Sequence, residues 1–218
     1  MASDVDICNM AVAHYGGSAQ ITAIDPPDGS AEAGRCARFY PIARREMLDM
    51  PGWLFSKKRV QLAQVANPSS IWAYAYALPS DCMNAKRVLQ QPILQSNPQF
   101  WPWTTALTAD QLTFFDERGS ADFDVEGSTL LTNEPDAVLL YTVDILDPAR
   151  FSPTVVAALS YLLASYLVGP VIKGRPGAQA AGQYREIATT MARAAAAVSA
   201  NQSSASAEYI PEAMRVRQ

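Results

Sequence analysis

The chain has 218 residues, of which 49% are hydrophobic and 17% are charged, and its formal net charge is −4. This composition predicts a folded domain with a sizeable core rather than a disordered chain, and the acidic balance argues against nucleic acid as the main bound partner. No apolar run reaches the ~20 residues that span a bilayer, and the N-terminus lacks the pattern of a signal peptide, so we expect a protein made in the cytoplasm with no membrane partner.

Two helices are predicted at the start of the chain. Ser3 and Asp6 form a capping pair before apolar residues at helical spacing, and a glycine pair ends that pattern. Ser30 caps a second segment, which has one apolar stripe. Pro41 lies inside this second pattern and predicts a kink or a break. The two helices span about 3–15 and about 30–50.

A β-rich middle is predicted over about 57–145. The sequence "KKRVQLAQV" at 57–65 indicates a first strand. In "WAYAYA" at 72–77, large rings alternate with alanines, which favours a strand with rings on one face and close approach on the other. Leu78-Pro79 ends this strand, and Ser80 or Asp81 is placed to cap a short turn of helix. The Pro- and Gln-rich stretch "QQPILQSNPQFWPWTT" predicts a structured loop.

Apolar and polar residues alternate again in "ADFDVEG" at 121–127. Here Asp122, Asp124 and Glu126 alternate with Phe123 and Val125, which predicts a hairpin with one acidic face. The run "AVLLYTVDI" at 137–145 is apolar enough for a central strand.

Two further helices are predicted after the β-rich part. Ser152 is an N-cap with Pro153 at the first helical position, and the pattern continues to about Val168, before Gly169-Pro170. An alanine-rich segment follows, whose small side chains permit close helix approach. These helices span about 152–168 and about 177–200. The whole pattern predicts one α+β domain over 1–201, in which a helical bundle is built from both chain ends around the β-rich middle.

Cysteine and histidine usage limits the chemistry that the chain can perform. The three cysteines form no CxxC pair, which disfavours a disulfide framework or a zinc site. His14 is the only histidine, and we expect it to contact the last carbonyls of its helix. Cys82 beside Asp81 is a conceivable nucleophile, but no nearby base or cation cluster is evident to activate it. We therefore expect no catalytic residue, no metal and no cofactor.

Negative charge is concentrated in one block of the sequence. Between Asp110 and Asp147 there are ten acidic residues and one basic residue, a net charge of −9 that leaves +5 on the rest of the chain. Two interpretations stay open, a solvated face and a surface that must not hold DNA. The acidic residues are Asp110, Asp116, Glu117, Asp122, Asp124, Glu126, Glu134, Asp136, Asp144 and Asp147.

Several stretches carry a resemblance to a known family. "ICNMAVAHYGG", "AEAGRCARFYPIARREML", "WLFSKKRVQLA" and "WAYAYALPSDCMNAKRV", in this order and spacing, resemble the tail tubular protein A family, the head-to-tail adaptors of short-tailed bacteriophages. The similarity is strongest over residues 5–90 and resumes at "LLYTVDILDPARFSPTVVAALSYLLASYLV". These motifs are structural rather than catalytic.

The resemblance implies a structural virion protein that is not an enzyme. It implies a ring of twelve copies beneath the portal protein, with the tail nozzle protein attached below and the genomic DNA passing through without specific binding. From it we expect a set of acidic residues to face the channel: Asp116, Glu117, Asp122, Asp124 and Glu126. We also expect the tail, residues 202–218, to order on assembly and dock on the portal through Tyr209, Ile210, Met214 and Val216.

Three other classes remain as alternatives. One is an enzyme such as a virion-associated hydrolase, which would need a pocket with converging polar groups. The second is a non-catalytic binding domain unrelated to virions. The third is a single-stranded nucleic-acid platform, suggested by the aromatics near "KKR" at 57–59 but disfavoured by the net charge.

Overall fold

The structure, a computed structural model, describes residues 2–18, 20–50, 53–89 and 120–200. These ranges contain helices together with antiparallel sheets, so the predicted α+β class is confirmed. The elements are α1 Asp4–His14, α2 Ala31–Asp49, β1 Lys57–Gln61, β2 Gln64–Val65, β3 Tyr74–Ala77, β4 Cys82–Leu89, β5 Ser120–Ala121, β6 Phe123–Glu126, β7 Thr129–Thr132, β8 Val138–Val143, α3 Pro153–Val171 and α4 Arg175–Ala200.

The predicted N-caps of the first three helices are confirmed. The Ser3 hydroxyl accepts from the Asp6 amide at 3.1 Å, and the Asp6 carboxylate accepts from the Ser3 amide at 2.9 Å, which completes the capping box. Ser30 and Ser152 accept in the same way from the amides three residues on. Each cap satisfies a backbone donor that the first turn of a helix leaves unpaired.

Of the kink or break expected at Pro41 the break is absent, and the predicted end of α3 and start of α4 are corrected by the structure. Helix α2 continues through Pro41 without a break, and α3 continues through Gly169-Pro170 to Val171. A proline removes one backbone hydrogen bond. In α2, Tyr40 and Ala43 on either side of Pro41 are buried in the helical core, so packing maintains the helix there. Helix α4 starts two residues before the predicted position, at Arg175.

One hydrophobic core is shared by all four helices, which come from both ends of the chain. Helix α3 lies at its centre and packs against α1, α2 and α4. By length and composition α3 could also cross a membrane. However, its side chains Leu159, Leu162, Leu163 and Leu167 are fully buried against other parts of the chain, which is the pattern of a core helix.

Within residues 53–89 and 120–143, the described β strands form two four-stranded antiparallel sheets. Sheet 1 has the order β1-β8-β4-β5 and sheet 2 the order β2-β3-β7-β6. A second hydrophobic core contains residues of both sheets, including Tyr76 and Leu130 from sheet 2 and Leu139 and Tyr141 from sheet 1. As predicted, β8 is an interior strand of its sheet.

The prediction of a single strand at 57–65 is wrong, because this stretch forms β1 in sheet 1 and β2 in sheet 2. Leu62 lies at the corner between them, buried in the second core, and its amide donates to the Ala137 carbonyl at 2.9 Å. The bend at Leu62 lets the chain pass from sheet 1 to sheet 2, as chains do at the corners between packed sheets.

The aromatic strand and the residues after it are partly as predicted. Tyr76 is buried in the second core with Tyr74 packed against it, while Ala75 is fully buried on the opposite face of β3. The expected helical turn at Ser80 or Asp81 is absent. The Cys82 amide instead donates to the Pro79 carbonyl at 3.0 Å, and this turn leads directly into β4.

A charged cluster joins the helices to the β part. Asp144, which directly follows β8, accepts from Arg44 of α2 at 2.8 and 3.1 Å and from Arg45 at 3.1 Å. The Arg44 and Asp144 side chains are only 8% and 15% exposed. Nearby, the side-chain amide of Asn84 in β4 donates to the Asp49 carboxylate at the end of α2. These contacts position α2 against one end of sheet 1.

We predict that Asp144→Ala lowers the free energy of unfolding by roughly 3 kcal/mol, because Arg44 would remain buried without its partner. Urea unfolding followed by circular dichroism measures this change. The control is Lys58→Met, which removes an ion pair to Asp81 whose lysine is 51% exposed and should have a much smaller effect. Equal losses in the two variants would contradict a special role for the buried pair.

Candidate functional surfaces

An acidic surface, defined by Asp122, Asp124 and Glu126, lies on the β6–β7 hairpin. All three side chains are exposed, and among the described strands β6 lies at a sheet edge and pairs with β7 alone. Gly127, with φ +60°, supplies the left-handed residue that the two-residue hairpin turn requires. The predicted strand with exposed acidic side chains is therefore confirmed, and it forms a hairpin with β7.

The alternation along β6 explains why these carboxylates remain in water. Phe123 packs against the second core, so Asp124 lies on the other face of the strand, opposite Leu131 of β7. Residues 120–136 contain five carboxylates and no lysine or arginine. Among the described residues, none of the three side chains of the acidic surface forms an ion pair. The local charge is therefore uniformly negative in this part of the chain.

Other members of the acidic block have structural roles. Asp144 belongs to the buried cluster with Arg44, and Asp147 accepts from the Ala149 amide at 2.9 Å at the start of a 3₁₀ turn. The predicted channel residues Asp116 and Glu117 lie outside the described residues, as does Asp110. The block is consequently not one surface, and only part of it is available to face a partner.

A basic surface, defined by Lys57, Arg59 and Arg87, lies on sheet 1. Arg59 of β1 and Arg87 of β4 are both registered opposite Leu140 of β8, which places them on the same face about 10 Å apart. That face is turned away from the second core, which contains Leu139 and Tyr141 of β8. The outer face of sheet 1 thus carries cations, whereas the acidic surface lies at the edge of sheet 2, beside the fully buried Leu131.

On the sequence alone, Lys57, Lys58 and Arg59 form one basic cluster, and their placement on two different faces of β1 was not predicted. Lys58 points to the opposite face from its neighbours and donates to Asp81 at 2.8 Å, and Tyr141 donates to the same carboxylate at 2.8 Å. The hydrogen bond from Lys58, together with that from Tyr141, holds the pKa of Asp81 below its usual value. Alternation along β1 was the signal that could have separated the three cations.

Cys82 is not arranged as an activated nucleophile. Burial, and then the negative charge of Asp81, raise the pKa of the Cys82 thiol, so the thiol form is favoured at neutral pH. The carboxylate of Asp81 is already engaged by Lys58 and Tyr141. The arrangement offers neither a thiolate nor a free base at this position.

His14 contacts side chains of α3 rather than the carbonyls that were expected. Its Nε2 lies 2.9 Å from the hydroxyl of Ser160, and its ring stacks on Tyr161 with centroids 3.8 Å apart. The Ser160 hydroxyl donates to the Ala157 carbonyl, so it accepts from the histidine ring. Burial lowers the pKa of His14. These contacts give the histidine a structural role in the helical core.

A groove lies where α4 ends, and sequence reasoning did not find it. This terminal groove has a volume of about 510 Å³. Its walls come from the segment before β1, the start of α3 and the last turns of α4, which are far apart in sequence. The lining residues are Trp53, Leu54, Phe55, Arg150, Phe151, Ser152, Val155, Ala195, Val198 and Ser199.

The remaining predicted site residues, Tyr209, Ile210, Met214 and Val216 in the tail, lie outside the described residues. Within the described ranges, no group of three histidine, cysteine, aspartate or glutamate side chains is placed to hold a metal ion. The sequence matches no protein-family model and finds no match among curated proteins. A function therefore has to be argued from the surfaces themselves.

We predict that the stability of the protein falls as the pH is lowered through about 6.5, the ordinary pKa of an unfolded histidine. The pKa of His14 is lower in the folded state, so the unfolded chain takes up the proton first and is favoured. Urea unfolding at pH 7.5 and 6.0 measures the difference.

His14→Phe, which keeps an aromatic ring on Tyr161, should remove this pH dependence. No other histidine contributes to the pH dependence, because His14 is the only histidine in the sequence. A variant whose stability changes with pH as much as that of the natural chain would show that His14 is not the group responsible.

Proposed function

We propose that this protein is a non-catalytic structural protein of a bacteriophage virion, a head-to-tail adaptor. In this proposal, copies of the chain form a ring, twelve in the virion, between the portal protein and the tail nozzle protein. Genomic DNA passes through the ring during ejection. The proposal starts from the resemblance to the tail tubular protein A family, and it places the protein at the head-to-tail interface of the virion after synthesis in the host cytoplasm.

The observation that supports this proposal most directly is the acidic surface on an edge strand. A protein that binds DNA gains affinity by releasing counterions from phosphates to its lysines and arginines. Carboxylates facing phosphate remove that gain and repel the duplex. Asp122, Asp124 and Glu126 therefore suit the wall of a passage that DNA must slide through, and we propose that they face the channel together with Asp116 and Glu117.

The separation of charge in the β part agrees with such a wall. The basic surface of sheet 1 lies on the outer face of the opposite sheet, so the positive side chains are kept away from the acidic ones. With the acidic surface towards the bore, the basic surface would be turned away from the DNA. A protein with its charges mixed on every face could not present a uniformly repelling wall.

The helices have a different role in this proposal. We propose that α1 to α4 form a helical bundle assembled from both chain ends, which acts as the rigid body of each copy in the ring. Their shared core supports this, because it is continuous across all four helices. The tail then docks on the portal through Tyr209, Ile210, Met214 and Val216.

A second candidate, a binding domain unrelated to virions, is favoured by one observation, the terminal groove. A groove of about 510 Å³ with aromatic walls lies within the size range of ligand sites. The two candidates differ in what the purified protein does with a portal protein from a short-tailed phage. An adaptor assembles into rings on the portal, whereas a binding domain of the second kind remains single.

We predict that the chain mixed with its portal forms rings visible by negative-stain electron microscopy, and that a chain ending at residue 201 does not. The tail would be absent, while both described cores, which lie before residue 201, would persist. Circular dichroism of the shortened chain checks that it is folded. Rings that form equally without residues 202–218 would refute the role of the tail, and the absence of rings with the full chain would refute the adaptor.

We also predict that Asp124→Lys with Glu126→Lys makes the assembled ring retain double-stranded DNA, with a retention that weakens as salt is raised. A DNA gel-shift series at several salt concentrations measures it. The charge-matched control is Asp25→Lys with Glu186→Lys, two exposed carboxylates outside the hairpin. If both rings retain DNA equally, total charge rather than the acidic surface governs the effect, and the channel assignment fails.

A further inference from the structure

We infer that the terminal groove is a binding site for the segment of the same chain that follows α4, residues 202–218, and that this segment occupies the groove while the protein is free. This inference does not depend on the adaptor role, because the groove and the segment belong to one chain. It gives the apolar residues of the segment a place to be buried before any partner is met.

The groove has the composition of a peptide-binding site. Its base is apolar, since Trp53, Phe151 and Val155 are buried beneath it. The ring of Phe55 contacts both aromatic rings, with its centroid 5.5 Å from that of Trp53 and 5.9 Å from that of Phe151. Aromatic side chains of this kind provide large contact areas for an apolar ligand.

The open side of the groove is formed by the last turns of α4. Val198 is 63% exposed there, although it is adjacent to the buried Ala195. The Ser199 hydroxyl accepts from the Leu54 amide at 3.2 Å and so fixes the end of α4 to the opposite wall. A peptide that covered Val198 would remove its apolar surface from water and extend the buried surface that already includes Ala195.

Arg150 places a positive charge at the groove, which favours a ligand that carries a carboxylate. One of its N–H groups donates to the Phe55 carbonyl at 3.4 Å, which holds the guanidinium at the edge of the groove. An arginine has five N–H donors, so others are available for a carboxylate on the occupant. The groove therefore fits a short apolar peptide that also carries an acidic residue.

Residues 202–218 have this composition. They contain Tyr209, Ile210, Met214 and Val216 together with Glu208 and Glu212. Each glutamate is within two residues of an apolar side chain, which allows a carboxylate to meet Arg150 while the apolar groups enter the groove.

The segment is also within reach of the groove. It begins three residues after Ser199, a groove residue, and residues 202–208 can span roughly 24 Å when extended. That length allows Tyr209 to turn back over the groove. A ligand on so short a connection has an effective concentration on the order of millimolar, so even a site with a dissociation constant of about 0.1 mM would be about nine-tenths occupied.

The test measures the accessibility of the groove in the full chain. In a Cys82→Ser background, needed because Cys82 is only half-buried, Val198→Cys places a thiol on the open side of the groove, and its alkylation rate reports whether position 198 is covered. We expect the rate to rise about tenfold when Tyr209→Ser, Ile210→Ser and Met214→Ser are added, because the apolar contacts of the segment are lost. An excess of synthetic peptide 202–218 should then slow the reaction again.

Two controls accompany this measurement. Ile71→Cys places a thiol at a position that is 84% exposed and distant from the groove residues in sequence, and its alkylation should not respond to the serine substitutions. Cys8 and Cys36 are buried in the helical core, so their lack of reaction confirms that each variant is folded.

Three results would overturn the inference. Equal alkylation at position 198 with and without the serine substitutions would show that the segment does not cover the groove. Protection that is lost on dilution would assign the groove to the segment of a second copy. Protection that appears only when a portal protein is added would assign the groove to that partner.

Discussion

The buried ion pair between Arg44 and Asp144 is the interaction on which the arrangement of this protein depends. The β part is inserted between α2 and α3. Contacts between the helices and the β part therefore fix the position of the first hydrophobic core relative to the second. Asp144 follows the interior strand β8 and Arg44 lies on α2. Two charges with so little access to water must stay together, which holds α2 against one end of sheet 1.

The two charged surfaces lie on different sheets. The cations of the basic surface lie on the outer face of sheet 1, and the carboxylates of the β6–β7 hairpin lie at the edge of sheet 2. Alternation along each strand then separates residues that are neighbours in sequence, such as Lys58 and Arg59. A ring built from such copies would have distinct acidic and basic sides, which is the property that the proposed DNA passage uses.

The terminal groove forms where three segments that are distant in sequence meet. Its walls belong to the segment before β1, the start of α3 and the end of α4, so it exists only when the helical core is assembled. The segment that we propose as its occupant also carries the residues proposed to dock on the portal. One set of apolar side chains would then be covered in the free protein and transferred to a partner on assembly, which would limit premature association.

Sequence patterns were sufficient to predict the starts of α1, α2 and α3, the acidic strand β6 and the strand β8, because capping and alternation involve residues only two or three positions apart. The folded structure was needed to find the division of 57–65 between two sheets, the continuation of α3 through Gly169-Pro170, the pairing of Arg44 with Asp144, and the groove. The roles in a virion and the channel-facing residues stay predictions. The difference between these two groups of features has a physical reason. A local hydrogen bond depends only on its own segment, whereas burial depends on which distant segments come to lie against a residue.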